Sequence, residues 1–181
     1  GIAICYIIKK WVGLNKRIEW LLVDICESFI VIASFVLGWL YQLNNKYIIG
    51  LNDVLSDRLK YIAQTMSTYN IKLWGQYIEE HGNGGSIIAK DNYFFIDNSF
   101  VRCMYEYGAI VFVLVIVLIF MAQKKMLDNE KYIMCLAFFI VTIASFAEHH
   151  LLEIAYNPFI FSVFACMSNN DKVIMEEKRI C

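Results

Sequence analysis

Charge is what this sequence has least of. Only 18% of its 181 residues are Asp, Glu, Lys or Arg, against 59% hydrophobic and a mean hydropathy of +0.52, a balance too apolar for a water-soluble domain of this size. The net charge of −1 leaves no basic footprint, so no nucleic-acid partner follows from it. Lysines follow the first apolar run, "GIAICYII", instead of preceding it, which argues against a signal peptide. The glycines of "HGNGGS" have neither a preceding strand nor a Gly-Lys-Ser/Thr ending, which excludes a phosphate loop. No C-x-x-C spacing occurs to suggest a metal site on cysteine, and no metal or other cofactor is expected.

What is present is a series of apolar stretches, at about residues 1–8, 20–42, 107–122, 132–147 and 151–167. A helix needs about 20 apolar residues to cross a bilayer. The stretch at 1–8, opening on Gly1 without a methionine, therefore reads as the tail of a helix that starts upstream, and the chain as a C-terminal piece of something larger. The expected class is all-α: a polytopic membrane helix bundle forming a single transmembrane domain, with a long extracytoplasmic loop over residues 43–106. Asp24 and Glu27 lie near one end of the 20–42 span and read as interfacial, with the crossing proper starting near Ser28.

Lys9, Lys10, Lys16 and Arg17 fall in one short connection, Lys124, Lys125 and Lys131 in another, and Lys172, Lys178 and Arg179 in the tail, while the "EHHLLE" hairpin has no Lys or Arg. By the positive-inside rule the basic connections and the C-terminus are cytoplasmic, and the hairpin and long loop lie outside. Trp39, Tyr41 and Tyr47 then occupy the outer aromatic belt. Cys5, Cys26, Cys135, Cys166 and Cys181 fall within the membrane or toward its inner side, leaving Cys103 alone outside, so no intrachain disulfide is expected.

Within the loop, Leu51, Leu55, Leu59, Ile62, Met66 and Tyr69 recur at steps of three and four, which predicts an amphipathic helix on the outer membrane surface or against the bundle. At about 100° per residue, Arg58 falls some 60° from the centre of that stripe and is placed to point into a cleft. "IKLWGQYI" follows as a short strand or turn. Asp97, Asn98 and Ser99 precede a helix beginning near Phe100, where they cap it or help to make an anion site at its start. Glu148, His149 and His150 stand at the outer mouth of the 132–147 span as candidates for acid–base work; His149 and Glu153, four apart, are two metal-capable ligands that do not by themselves make a site.

Taken in order, "LNDVLSDRLKY", "IKLWGQYI", "IDNSFVRCMYEYGAIVFVL" and "SFAEHHLLEIAYNPFIF" resemble the C-terminal half of the Wzy-type polymerases of bacterial polysaccharide repeat units, which are distantly similar to the O-antigen ligases. The resemblance covers most of residues 51–167 and rests on Arg58, Gly75, Gln76, Asp97, Asn98, Ser99, Gly108, Glu148 and Asn157 in that order. Asp57 stands where a Gly often precedes the Arg, and Asp97 where the ligases tend to carry His, which favours polymerase over ligase.

The resemblance implies transfer of a glycan from undecaprenyl diphosphate onto a lipid-linked repeat unit, at the outer face of the bacterial cytoplasmic membrane. Its partners would be the lipid-linked oligosaccharide, membrane lipid and other polysaccharide-assembly proteins. Arg58 would stabilise the diphosphate, Asp97 or Glu148 would act as base, and Gln76, Asn98, Ser99, His149 and Asn157 would bind substrate. O-antigen ligase-like transfer and a non-enzymatic transporter or flippase of lipid-linked sugars are the competing readings; no internal repeat of the transporter kind is visible.

Overall fold

The computed structural model describes residues 16–81, 93–129 and 131–153, with side chains from Leu21 onward. Among them every regular element is helical: α1 (Lys16–Gln42), α2 (Lys46–Val54), α3 (Arg58–Thr68), α4 (Ser99–Arg102), a π-helical turn (Cys103–Tyr107), α5 (Ala109–Asp128), α6 (Tyr132–Ala144) and a 3-10 turn (His150–Leu152). The one pairing of extended backbone among the described residues is an isolated bridge between His81 and Phe94.

Among the described residues, two helices are long and apolar enough to cross a membrane, Leu21–Gln42 within α1 and Ala109–Asp128. At 1.5 Å per residue α5 reaches about 30 Å, the thickness of a hydrocarbon core, whereas the 13 residues of α6 reach only about 20 Å. The expected 132–147 span is thus shortened, because the chain turns over residues 145–147. The expected 107–122 span is displaced as well: Tyr107 belongs to the π turn, and the helix runs on past Ala122 through Lys124 and Lys125. Gln, Lys, Met and Leu are all good helix formers, and nothing there breaks the helix. Of the 151–167 span only the 3-10 turn and Glu153 are described; the 1–8 stretch lies outside the described residues.

Only 17% and 22% of the apolar windows of α1 and α5 are buried, which is unlike the core helix of a soluble protein. In α1 the pattern is inverted. Glu27, Ser34 and Gly38 face inward while Leu21, Ile25, Phe29, Ile32, Val36 and Trp39 are exposed. Small and polar contacts between helices with an apolar exterior are what a lipid environment selects. Gly38 shows why: a Cβ there would collide with Cγ2 of Ile62 on α3 and come within 3.0 Å of Met66 Sδ. Glu27 is 1% exposed. Its Oε1 accepts from Gln123 Nε2 of α5 at 2.6 Å, and Cys135 Sγ of α6 donates to Gln123 Oε1 at 2.9 Å. Glu27, expected near one end of its span, is thus enclosed there at the junction of three helices, beside the Gln123 that precedes Lys124.

The continuous helix expected over residues 51–69 is broken. Ser56 and Asp57 take left-handed backbone angles, φ 53° and 65°, each costing about 1–2 kcal/mol for a residue with a Cβ. Asn52 offsets that strain. It is buried, its Oδ1 accepts from Lys60 N at 2.9 Å, and its Nδ2 donates to Asp57 Oδ1 at 2.8 Å, so one side chain both holds the turn and caps α3. The apolar stripe survives in α3, where Leu59 and Ile62 are buried, but Leu51 is exposed.

Two apolar clusters result. One lies among α1, α5 and α6 around Phe100, Val115, Ile119 and Phe138. The other joins α3 to the segment before and through α4, around Leu59, Ile62, Phe94, Ile96 and Val101. Phe35 packs against both clusters and meets Phe112 edge-on at 5.8 Å. Cys26, Cys103 and Cys135 are free thiols, and Cys103, placed near the outer surface by sequence, is buried.

Candidate functional site

The C-terminal end of α1, the start of α3, the start of α5 and the end of α6 meet at one end of the helices, and the Lys124, Lys125 and Lys131 connection lies at the other. At the first end three separate parts of the chain bring their charged groups together. Arg58, the first residue of α3, donates from Nη2 to Glu148 Oε1 at 3.0 Å and places Nε 3.5 Å from Asp97 Oδ2. Asp97 Oδ1 lies 4.0 Å from Nδ1 of His149.

Asp97 is four-fifths covered. Burial pushes its carboxyl above the ordinary carboxylate value; Arg58 pulls it down, Glu148 pushes it further up and His149 opposes that push. Burial also holds the His149 imidazole below its ordinary value, with His150 and Arg102 acting in the same direction. A carboxyl raised by burial thus stands beside a histidine lowered by burial.

The remaining expected residues divide. Asn98 is buried and committed to structure: its Oδ1 accepts from Phe100 N and Val101 N as the cap of α4, and its Nδ2 donates to Ser34 Oγ and Phe146 O. Ser99 Oγ donates to Glu148 O and accepts from Leu151 N, tying α4 to the hairpin. The helix start expected to supply anion donors is thus consumed by its own cap, and α4 is only 4 residues long. Gln76 spends its amide on Asn70 O and Tyr105 O, at 2.7 and 3.3 Å. Asn98, Ser99 and Gln76, expected to bind substrate, thus each have structural partners within the fold. His149 stands beside Asp97, while Asn157 lies outside the described residues.

"IKLWGQYI" forms a turn with no strand. Its Lys72 and Leu73 carbonyls accept from Ala109 N and Ile110 N, capping α5. Gly75 and Gly108, both at positive φ (83° and 97°), touch backbone to backbone: a Cβ on Gly75 would strike Glu106 O, and one on Gly108 would strike Gly75 N. Trp74 and Tyr77 are 84% and 86% exposed on this turn.

Sequence reasoning missed a second guanidinium. Arg102 pairs with Glu80, sits 3.5 Å from Glu106 Oε2, and lies over the Phe95 ring at 4.8 Å; Phe95 in turn meets His149 edge-on at 5.0 Å. Glu80 also accepts from Ile96 N, which fixes the approach to Asp97. The Arg102–Glu106 spacing of four was a legible helical pair; the Glu80 partner, 22 residues upstream, was not. Tyr61 and Tyr93, with rings 5.3 Å apart, flank Asp97. Their phenols are raised above the ordinary value by burial first, with Asp97 adding to it, which keeps them protonated and able to donate.

His149 Nε2 lies 3.3 Å from Glu153 Oε1, and His150 Nδ1 lies 3.1 Å from Glu153 Oε2. Glu148, His149 and His150 each offer a ligand atom within 4.8 Å of the others. No protein-family model, curated protein or solved structure matches the chain.

Proposed function

We propose that this chain carries the glycosyl-transfer site of a membrane polymerase of lipid-linked oligosaccharide repeat units, acting at the outer face of a bacterial cytoplasmic membrane. The observation that carries the reading is the Arg58 guanidinium bridging Asp97 and Glu148, residues contributed by three separate elements. Polymerisation from undecaprenyl diphosphate asks for a fixed positive charge on the departing diphosphate and a base for the attacking sugar hydroxyl, close together.

Arg58 meets the first need. Nε and Nη2 face the two carboxylates, and Nη1 makes no hydrogen bond or ion pair among the described residues, so it is available to a phosphate oxygen. A guanidinium stays charged and can hold two oxygens at once. Asp97 meets the second, because burial brings its proton affinity closer to that of a working base. Glu148 orients Arg58 and keeps Asp97 basic, His149 lies beside Asp97, and the Tyr61 and Tyr93 rings offer a face and donors to a sugar.

The proposed topology rests on the positive-inside rule. With the Lys124, Lys125 and Lys131 connection cytoplasmic by the positive-inside rule, the Arg58 cluster lies outside, in a polytopic bundle with a cytoplasmic C-terminus. The test is glycan chain length in a deletion strain complemented with wild type or Arg58→Lys, at equal protein level. The variant is expected to leave single-repeat glycan in place of long polymer; wild-type chain length from Arg58→Lys would remove Arg58 from the mechanism.

A further inference from the structure

We infer that His149, His150 and Glu153, with Glu148 beside them, form a binding site for a divalent transition-metal cation of the zinc class. Ligand atoms on a four-coordinate zinc, bonded at about 2.0–2.2 Å, stand roughly 3.3 Å from one another. The two imidazole-to-carboxylate separations have that size: 3.3 Å from His149 Nε2 to one Glu153 oxygen and 3.1 Å from His150 Nδ1 to the other. The carboxylate therefore reaches across both rings, and Glu148 offers a ligand atom within 4.8 Å of those of His149 and His150.

Two features favour a cation over a set of ordinary hydrogen bonds. The two imidazole rings lie tilted against each other with centroids 4.1 Å apart, so a lone pair from each can reach one ion. Glu153 is paired, among the described residues, with the two imidazoles and with no Lys or Arg, so its charge is available to a cation. Nδ1 of His149, buried and without a hydrogen-bond partner among the described residues, lies 4.0 Å from Asp97 Oδ1, on the side from which a carboxylate orients a metal-bound imidazole. The inference does not depend on glycosyl transfer, because its readout is binding.

Cobalt(II) is the probe. The full chain, purified in detergent and stripped of metal, is titrated with cobalt and followed by visible absorption. One cobalt per chain with the ligand-field bands of four-coordinate nitrogen and oxygen ligation is expected, displaced by zinc. His149→Ala and the near-isosteric Glu153→Gln should each weaken binding at least tenfold, while His81→Ala, which removes an exposed histidine paired with Glu79, should leave it unchanged. Absence of the bands, thiolate charge-transfer absorption reporting cysteine ligation, or unchanged binding in Glu153→Gln judged folded by circular dichroism would each overturn the site.

Discussion

Arg58 and Glu148 stand 90 positions apart in sequence and share a hydrogen bond of 3.0 Å. The contact joins the first turn of α3 to the hairpin after α6, so the charge at the head of one helix is set by where another ends. Because that guanidinium is held on Nε and Nη2 by two carboxylates, its remaining edge is aimed before any ligand arrives.

Arg58→Lys retains the charge but not the fork, and is expected to lower the rate of chain extension about 100-fold, the scale of losing one positioned donor to a developing charge. Glu148→Gln keeps the shape and should cost less. Rates measured in proteoliposomes with lipid-linked repeat units separate the two, and equal losses would mean that charge alone matters.

The pH profile should report Asp97. Its carboxyl is raised in the folded chain, chiefly by burial, so a base at this position loses activity as pH falls through a value above that of a free carboxylate. Glu148 raises that proton affinity further, so Glu148→Gln should move the acid limb to lower pH. The sign for stability is opposite to that of a salt-bridged carboxylate. A raised group contributes stability below its unfolded value and loses it as pH rises through the folded one. At neutral pH Asp97→Asn is therefore expected to abolish extension without lowering the melting temperature; a large drop would show that the Arg58 pair outweighs burial.

The helices were legible because they rest on composition: long Ile, Val, Leu and Phe runs define α1 and α5, and the three-and-four spacing of Leu59, Ile62 and Met66 defines α3. So was the meeting of Arg58, Asp97 and Glu148, through the order of short motifs. What sequence could not show is how polar side chains are spent. Asn98, Ser99 and Gln76 look alike in sequence whatever they face, and their contacts with Ser34, Phe146, Glu148 and Tyr105 are visible only in the structure. The break at Ser56 was hidden for the same reason, since it depends on Asn52 reaching Lys60 N across the turn.

Asn98 offers a test of that distinction. Asn98→Ala removes a helix cap, worth about 1 kcal/mol, and leaves Ser34 and Phe146 O short of a buried donor, at about 1–3 kcal/mol more. The expected outcome is a lower melting temperature with unchanged substrate KM in the folded fraction. A raised KM at unchanged stability would return Asn98 to the substrate.

Gly38 limits how closely α1 and α3 approach. Its added methyl would meet Ile62 Cγ2, on a β-branched side chain with little rotameric escape. Gly38→Ala should destabilise by about 1–3 kcal/mol, as overpacking does, and Ile62→Ala in the same chain should recover part of that loss. The double-mutant cycle in thermal denaturation reads the coupling directly, and additive losses would mean that the helices do not meet there.

Trp74 tests where the site sits relative to the membrane. Its turn is fixed to the start of α5 through the Lys72 and Leu73 carbonyls, and Leu73, Trp74 and Tyr77 all point outward at 63%, 84% and 86% exposure. An aromatic side chain hinged to the first turn of a 20-residue apolar helix belongs at the headgroup level, where its ring is buried and its N–H stays wet. In a chain with Trp11, Trp20 and Trp39 changed to Phe, Trp74 fluorescence should be blue-shifted in vesicles and quenched by lipids brominated near the headgroup more than by those brominated deep in the chain. Water-like emission with no quenching would put this end of α5 outside the interface, and with it the Arg58 cluster beyond reach of a lipid-borne diphosphate.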